Sequence, residues 1–201
     1  MQVKQIFSNA ACREHDGLKG IAFCPVCGAP FHFVAEGGKN RPTCPACGFV
    51  YYKNPAPAVS VLIVENRRVL LGKRGPGSFI AGKWCLPCGF IEYDEDFLTA
   101  AVREVQEETG LTVTLQSIIN VTANFLAENM HSLVVVFLAR VASGTPTAGD
   151  DLESIAWFDL AGPLPEMAFA ADLHIIERYR ADKITGLPID AGFDARQREN
   201  G

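Results

Sequence analysis

The apolar positions of the chain follow two periods, and the period switches along its length. Ala58 to Val64 is a nearly unbroken run of Val, Leu and Ile, the composition of a buried strand. Glu65 to Arg68 is polar and reads as a turn, after which Val69 to Lys73 returns as the hairpin partner. Trp84 to Ile91 is a short extended segment broken by Pro87 and Gly89. From Asp94 to Thr109 the period becomes helical. Phe97, Ala101 and Val105 recur at i, i+4 and i+8, flanked by Leu98 and Val102, and Gly110 stops the helix just past its end. Val113 to Ala123, Leu133 to Val141 and Ile155 to Phe158 read as further strands, and Glu166 to Arg180 as a closing amphipathic helix. Mixed strands with a helix on each side predict an α/β fold of the α/β/α sandwich type.

The pattern confines this domain to residues 55–184. Residues 1–20 form a polar extension, residues 21–54 carry four cysteines with little continuous apolar pattern, and residues 185–201 form a polar tail. With 201 residues and 48% hydrophobic content, the chain can bury a sizeable core. Its net charge of −5 gives no support for binding nucleic acid or anionic membranes, which needs clustered basic residues. No apolar run has the ~18–20 residues of a membrane span. The first 20 residues lack the apolar core and cleavage site of a secretory signal, so the expected compartment is cytoplasmic.

Six of the seven cysteines fall into three Cys-x-x-Cys pairs. Cys24-Pro-Val-Cys27-Gly and Cys44-Pro-Ala-Cys47-Gly are near copies, separated by sixteen residues. Each is a tight knuckle that turns two sulfurs toward one point, and two knuckles supply the four thiolates of a structural zinc site. The alternative is four free or disulfide-linked cysteines, which does not explain the doubled knuckle. A zone this short cannot hold itself together by apolar burial, so bound Zn²⁺ would supply folding energy. With four protein ligands such an ion has no open position for chemistry. Lys39, Arg41 and Lys53 with Phe31, Phe33, Tyr51 and Tyr52 could form a binding patch there; a solvated face with packing aromatics is the simpler account. Cys85-Leu-Pro-Cys88 has no helix directly after it, unlike a thioredoxin-type motif, and reads as small loop-filling residues. Cys12 has no partner.

The helix ending at Thr109 carries the chemistry. Glu104 with Glu108 (i, i+4) and Glu104 with Glu107 (i, i+3) place three carboxylates on one edge. Like charges so placed repel one another, and a hard divalent cation such as Mg²⁺ or Mn²⁺ resolves the conflict. Taken alone, the run would pass for a solvated acidic face with an Arg103–Glu107 pair. The apolar stripe, the glycine-bearing loop before it and the glycine stop after it argue for the metal.

Residues Gly89 to Leu111 match G-x5-E-x7-R-E-U-x-E-E-x-G-U, with U aliphatic, at every specified position. The segment resembles the Nudix box. The resemblance implies a loop–helix–loop metal site in which Glu104, Glu107 and Glu108 bind the catalytic Mg²⁺ or Mn²⁺. Glu95 would pair with Arg103 to brace loop against helix, and the Gly89 carbonyl could add a ligand. It also implies hydrolysis of a diphosphate linked to some other group, by a metal-activated water attacking one phosphorus. One glutamate of the cluster, or one from a later loop, would act as base. Glu153 is the outside candidate, with an ordinary loop glutamate as the equal alternative.

A zinc ribbon before such a box resembles two groups: bacterial NADH pyrophosphatases, and zinc-ribbon Nudix proteins similar to plant FAD diphosphatases. The first carries a Ser-Gln-Pro-Trp run after the box, and the segment Asn120 to Ser132 has none. The second resembles residues 22–182, including Asn54-Pro55, Trp84-x-Leu86-Pro87 and Leu164-Pro165, but departs at Cys88, where it has a small residue. The expected substrate is therefore a small dinucleotide such as FAD, NADH or ADP-ribose. Arg74 could reach phosphate, and Phe79 or Phe125 could stack on a base; a structural role is the competing account for each. A regulator that senses a nucleotide without cutting it is the rival function, against which the complete acidic triplet argues. A homodimer is open, since Nudix folds often pair.

Overall fold

The structure is a computed structural model that describes residues 21–127 and 130–189. The polar extension with Cys12, and the tail from residue 190, lie outside the described residues. Within them the chain divides into a small unit, residues 21–56 with 125–131, and a large one, residues 57–124 with 132–189.

The small unit is built on the two knuckles. In the first, the amide of Cys24 donates to the Ala29 carbonyl and that of Gly28 to the Cys24 carbonyl; the second repeats this with Cys44, Phe49 and Gly48. Between them β1 (His32–Glu36) and β2 (Lys39–Thr43) form an antiparallel hairpin in the register His32 to Thr43. Neither strand has an apolar alternation, and β1 is exposed throughout, which is why no strand could be read there. Its core cluster among the described residues is small, Cys24, Phe31 and Cys44, with Phe49 packed on Phe31 at 6.4 Å.

The large unit is one sheet between two helices. Its strands are β3 (Ala56–Glu65), β4 (Arg68–Arg74), β5 (Trp84–Cys85), β6 (Cys88–Phe90), β7 (Leu111–Ala127), β8 (Met130–Gly144), β9 (Leu152–Asp159) and β10 (Leu187–Pro188). They run in the order β10-β7-β8-β3-β4-β5, with β6 on β3 and β9 on β4. Helix α1 (Phe97–Thr109) covers one face and α2 (Ala170–Asp182) the other.

The apolar run of β3 explains the two layers. Val59, Val61 and Ile63 point to the side of Ala101 and Val105, while Ala58 and Leu62 point to the side of Ile175 and Ile176. The period of two thus sends alternate residues into opposite cores, so a central strand is apolar on both faces, here with Ser60 as a buried exception. The two tryptophans follow the same division, Trp84 packing with the α2 layer and Trp157 with the α1 layer. The sandwich expected from the sequence is the one observed.

Strands β3, β7 and β8 run longer than the sequence expectation, and three element starts differ in ways that bear on the site. Helix α1 begins at Phe97, not Asp94, because the Asp96 carboxylate caps it by accepting from the amides of Leu98 and Thr99. Helix α2 begins at Ala170, not Glu166. The Glu166 carbonyl accepts from the Trp84 amide and the Ala168 amide donates back to Trp84, so the lead-in runs extended beside β5. Strand β9 begins at Leu152, which puts Glu153 on a strand and not in a loop. There it faces Lys73, with Nζ and Oε1 2.6 Å apart.

Candidate active site

The site is assembled by a loop, a helix and the short strand β6. Asp96 starts α1, and Gly110 ends it in the left-handed conformation (φ 67°), with its amide bonded to the Gln106 carbonyl. A side chain at Gly110 would be strained in that conformation and would also press on the Thr145 carbonyl. With its ends fixed, α1 turns its apolar stripe into the sheet and its acidic edge toward the 89–96 loop.

Arg103 organises that edge. Its Nε and Nη2 engage the Glu95 carboxylate, the former at 3.0 Å, and Nη2 also donates to the Phe90 carbonyl at 3.1 Å. Its Nη1 donates to Glu104 Oε1 and Glu107 Oε2, both at 2.9 Å. Glu95 Oε1 accepts in turn from the Glu92 amide, closing the loop on itself. One guanidinium therefore ties three carboxylates and a loop carbonyl, a fork that a lysine could not reproduce.

The three box glutamates meet different surroundings. Glu107 is half-exposed, Glu104 is 7% exposed and Glu108 only 1%. Glu104 lies directly over Gly89: a Cβ placed there would be 2.1 Å from its carboxyl carbon. Glu108 turns inward, where its Oε2 accepts the Cys88 amide at 2.9 Å. Burial pushes the Glu108 carboxyl well above the usual carboxylate range; the neighbouring Cys85 adds to this, while the Cys88 amide opposes it. Burial also raises Glu104, against the pull of Arg103. The three carboxylates thus share an edge without yet sharing a point.

Among the described residues, only Cys24, Cys27, Cys44 and Cys47 form a set of such ligand atoms all within 4.8 Å of one another. Their sulfurs approach at 3.5 Å (Cys27–Cys44) and 3.7 Å (Cys24–Cys47). Sulfurs at the corners of a tetrahedron with ~2.3 Å bonds to a central ion lie ~3.8 Å apart, so the thiols fit a tetrahedral metal. The acidic edge offers only hard oxygen donors, with the Gly89 cradle beneath, which suits a small divalent cation.

The remaining candidates separate. Arg74 is buried and its charge is already matched: Nη2 lies 2.7 Å from Asp151 Oδ2, and Nε donates to the Phe79 carbonyl. Phe79 has an exposed ring. Phe125 belongs to the small unit, stacked on His131 at 3.9 Å. In the ribbon, Arg41 lies over the Tyr52 ring at 4.6 Å and pairs with Glu36, while Phe31 is buried. Cys85 and Cys88 are not loop residues: Cys85 is fully buried on β5 beside Arg74 Nη1, and Cys88 stands on β6.

Sequence reasoning missed Asp172, 4% exposed, whose Oδ2 accepts the Leu86 amide at 3.0 Å. The available signal was an acid on the buried stripe of α2, four residues before Ile176. It also gave no role to the 147–151 loop. Amides of Thr147 and Gly149 bond the carbonyls of Thr109 and Glu108, and Asp151 Oδ1 is buried without a partner.

The structure thus presents a helix-borne carboxylate edge, clamped by one arginine above a glycine and seated on an α/β/α sandwich. The family description NUDIX domain matches residues 54–179. The chain is 38% identical over 119 residues to an ADP-ribose pyrophosphatase of Methanocaldococcus jannaschii, covering 59% of this chain and 69% of that protein. It is 32% identical over 170 residues to an NAD-capped RNA hydrolase, NudC, of Chromobacterium violaceum. That match covers 82% of this chain and 60% of that protein, so the chain spans less than two thirds of this relative. A solved NUDIX hydrolase from Nitrosomonas europaea superimposes with a TM-score of 0.72 at 26% identity, covering 83% of this chain and 94% of that one. The chain belongs to the Nudix family.

Proposed function

We propose that the protein is a divalent-cation-dependent hydrolase that cleaves the diphosphate of a nucleoside diphosphate linked to another group. The substrate class we favour is a small dinucleotide such as FAD, NADH or ADP-ribose. The observation that carries this reading is the complete acidic edge of α1: Arg103 holds Glu104 and Glu107, Glu104 lies over Gly89, and Glu108 accepts the Cys88 amide. The names of the relatives, an ADP-ribose pyrophosphatase and an NAD-capped RNA hydrolase, support the dinucleotide class.

In this reading Glu104, Glu107 and Glu108, with the Gly89 carbonyl, hold Mg²⁺ or Mn²⁺. The cation supplies charge neutralisation of the diphosphate and makes a coordinated water more acidic. Arg103 keeps the carboxylates oriented, and Glu95 braces it against the loop. A box glutamate takes the proton of the attacking water as its oxygen bonds one phosphorus; the bridging P–O bond breaks and the phosphate ester leaves. The Lys73 ion pair of Glu153 argues for placing the proton acceptor in the box and not on β9. Of the substrate candidates, Phe79 retains an exposed ring to stack on a base. The four ribbon thiols hold a structural Zn²⁺, which suits a reducing cytoplasm.

The test is phosphate release from FAD, NADH, ADP-ribose and dATP, with Mg²⁺ or Mn²⁺ and a coupled phosphatase. At least one dinucleotide should turn over, and Glu107→Gln or Glu108→Gln should lower turnover by ~10²-fold or more with the fold intact. A double variant within a few-fold of wild type would sink the assignment. Measurable binding without turnover of any compound would instead indicate a nucleotide sensor.

A further inference from the structure

Strand β6 and the two residues before it have few amides to offer. Pro87 has no N–H, so between β5 and Gly89 only Leu86 and Cys88 can donate from the backbone. Each is taken by a buried carboxylate from a different helix. Cys88 donates to Glu108 of α1 at 2.9 Å, and Leu86 donates to Asp172 of α2 at 3.0 Å. The Pro87 carbonyl is fixed as well, accepting the Val61 amide at 2.9 Å. The lead-in of α2 runs beside the same segment, bonded to both backbone groups of Trp84.

This is an expensive way to hold a strand. An acid that is 4% exposed loses nearly all of its hydration, and a neutral polar or apolar residue would dock α2 at lower cost. What Asp172 adds is a directed acceptor aimed at the one peptide that sets the entry of the chain into Cys88-Gly89. A short shift there would move the Gly89 carbonyl and the partner of Glu108 together.

We propose that Asp172 is a positioning residue for catalysis, fixing the Leu86 peptide so that Gly89 and Glu108 keep their relative placement. It acts through the backbone and touches no reacting atom. The proposal rests on the reading of Glu108 and Gly89 given above.

Two variants that both fill the site separate a directed acceptor from mere packing. Asp172→Asn keeps an oxygen that can accept the Leu86 amide, whereas Asp172→Leu does not. Asp172→Leu should lower kcat about tenfold or more with KM little changed, and hydrogen exchange at the Leu86 amide should quicken. Asp172→Asn should keep kcat within a few-fold and leave that amide protected. The proposal is overturned if Asp172→Leu retains wild-type kcat, or if Asp172→Asn loses as much as Asp172→Leu. It is also overturned if Leu86 exchanges equally in both. The exchange rate reads the Asp172 contact whatever the reaction is, while Glu107→Gln and Glu108→Gln test the box itself, so the two failures are distinguishable.

Discussion

Gly89 shows how a residue without a side chain can be a demanding one. Its backbone does not require glycine; the space above it does, because the Glu104 carboxyl lies where a Cβ would stand, 2.1 Å away. The obstructing atoms are the far end of a flexible side chain, so Gly89→Ala can be accommodated by swinging Glu104 aside. The expected result is a small change in melting temperature with a loss of turnover of ~10²-fold, read by comparing thermal unfolding with phosphate release. Equal loss of both would mean that the glycine serves the fold. Arg103 and Glu95 were legible at this scale, since the spacing of the box carries them. The separate fates of Glu104, Glu107 and Glu108 were not. Periodicity puts them on one edge, but the direction each carboxylate takes depends on Gly89, Cys88 and Arg103, which only the folded chain brings near.

The elements were legible where period and stop signals agreed. Gly110 gave the end of α1, and the run of β3 gave a strand buried on both faces. The start of α2 was misread because Glu166 and Ala168 are bonded to Trp84, more than eighty residues away, and no local signal records that pairing. Helix α2 then docks through Asp172, and that makes its hold on the sheet depend on pH. Burial, opposed by the Leu86 amide and Arg74, raises the Asp172 carboxyl from the ordinary 3.8 to about 7. A raised value means that the folded state favours the proton. The stability this confers is complete below pH 3.8 and is lost as pH climbs to about 7. Asp172→Asn carries no proton to lose. Denaturant unfolding from pH 4 to 8 should therefore show the Asn variant gaining on wild type by up to about 4 kcal/mol, with the gap level above about pH 7. A constant gap across the range would disprove this.

At the scale of the molecule, the two units rest on different physics. The large unit has two apolar layers of its own, whereas the core cluster of the small unit, among the described residues, is Cys24, Phe31 and Cys44. Its cysteine knuckles were plain in the sequence, and its hairpin was not, because β1 and β2 are formed between knuckles and not by apolar alternation. Removing metal with a strong chelator should melt residues 21–54 and leave the sandwich folded, which amide spectra recorded with and without chelator would reveal. Cooperative loss of both sets of signals would contradict that division. Among the described residues no helix is long and apolar enough to cross a membrane.

The chain has only two tryptophans, and the sheet divides them, Trp84 packing edge-on to Phe158 in one layer and Trp157 beneath Arg68 in the other. Intrinsic fluorescence therefore comes from two emitters that report on different faces. Replacing either one by phenylalanine leaves a single lamp. With Trp84 alone, the emission watches the strand that enters the catalytic loop; with Trp157 alone, it watches the layer beneath α1.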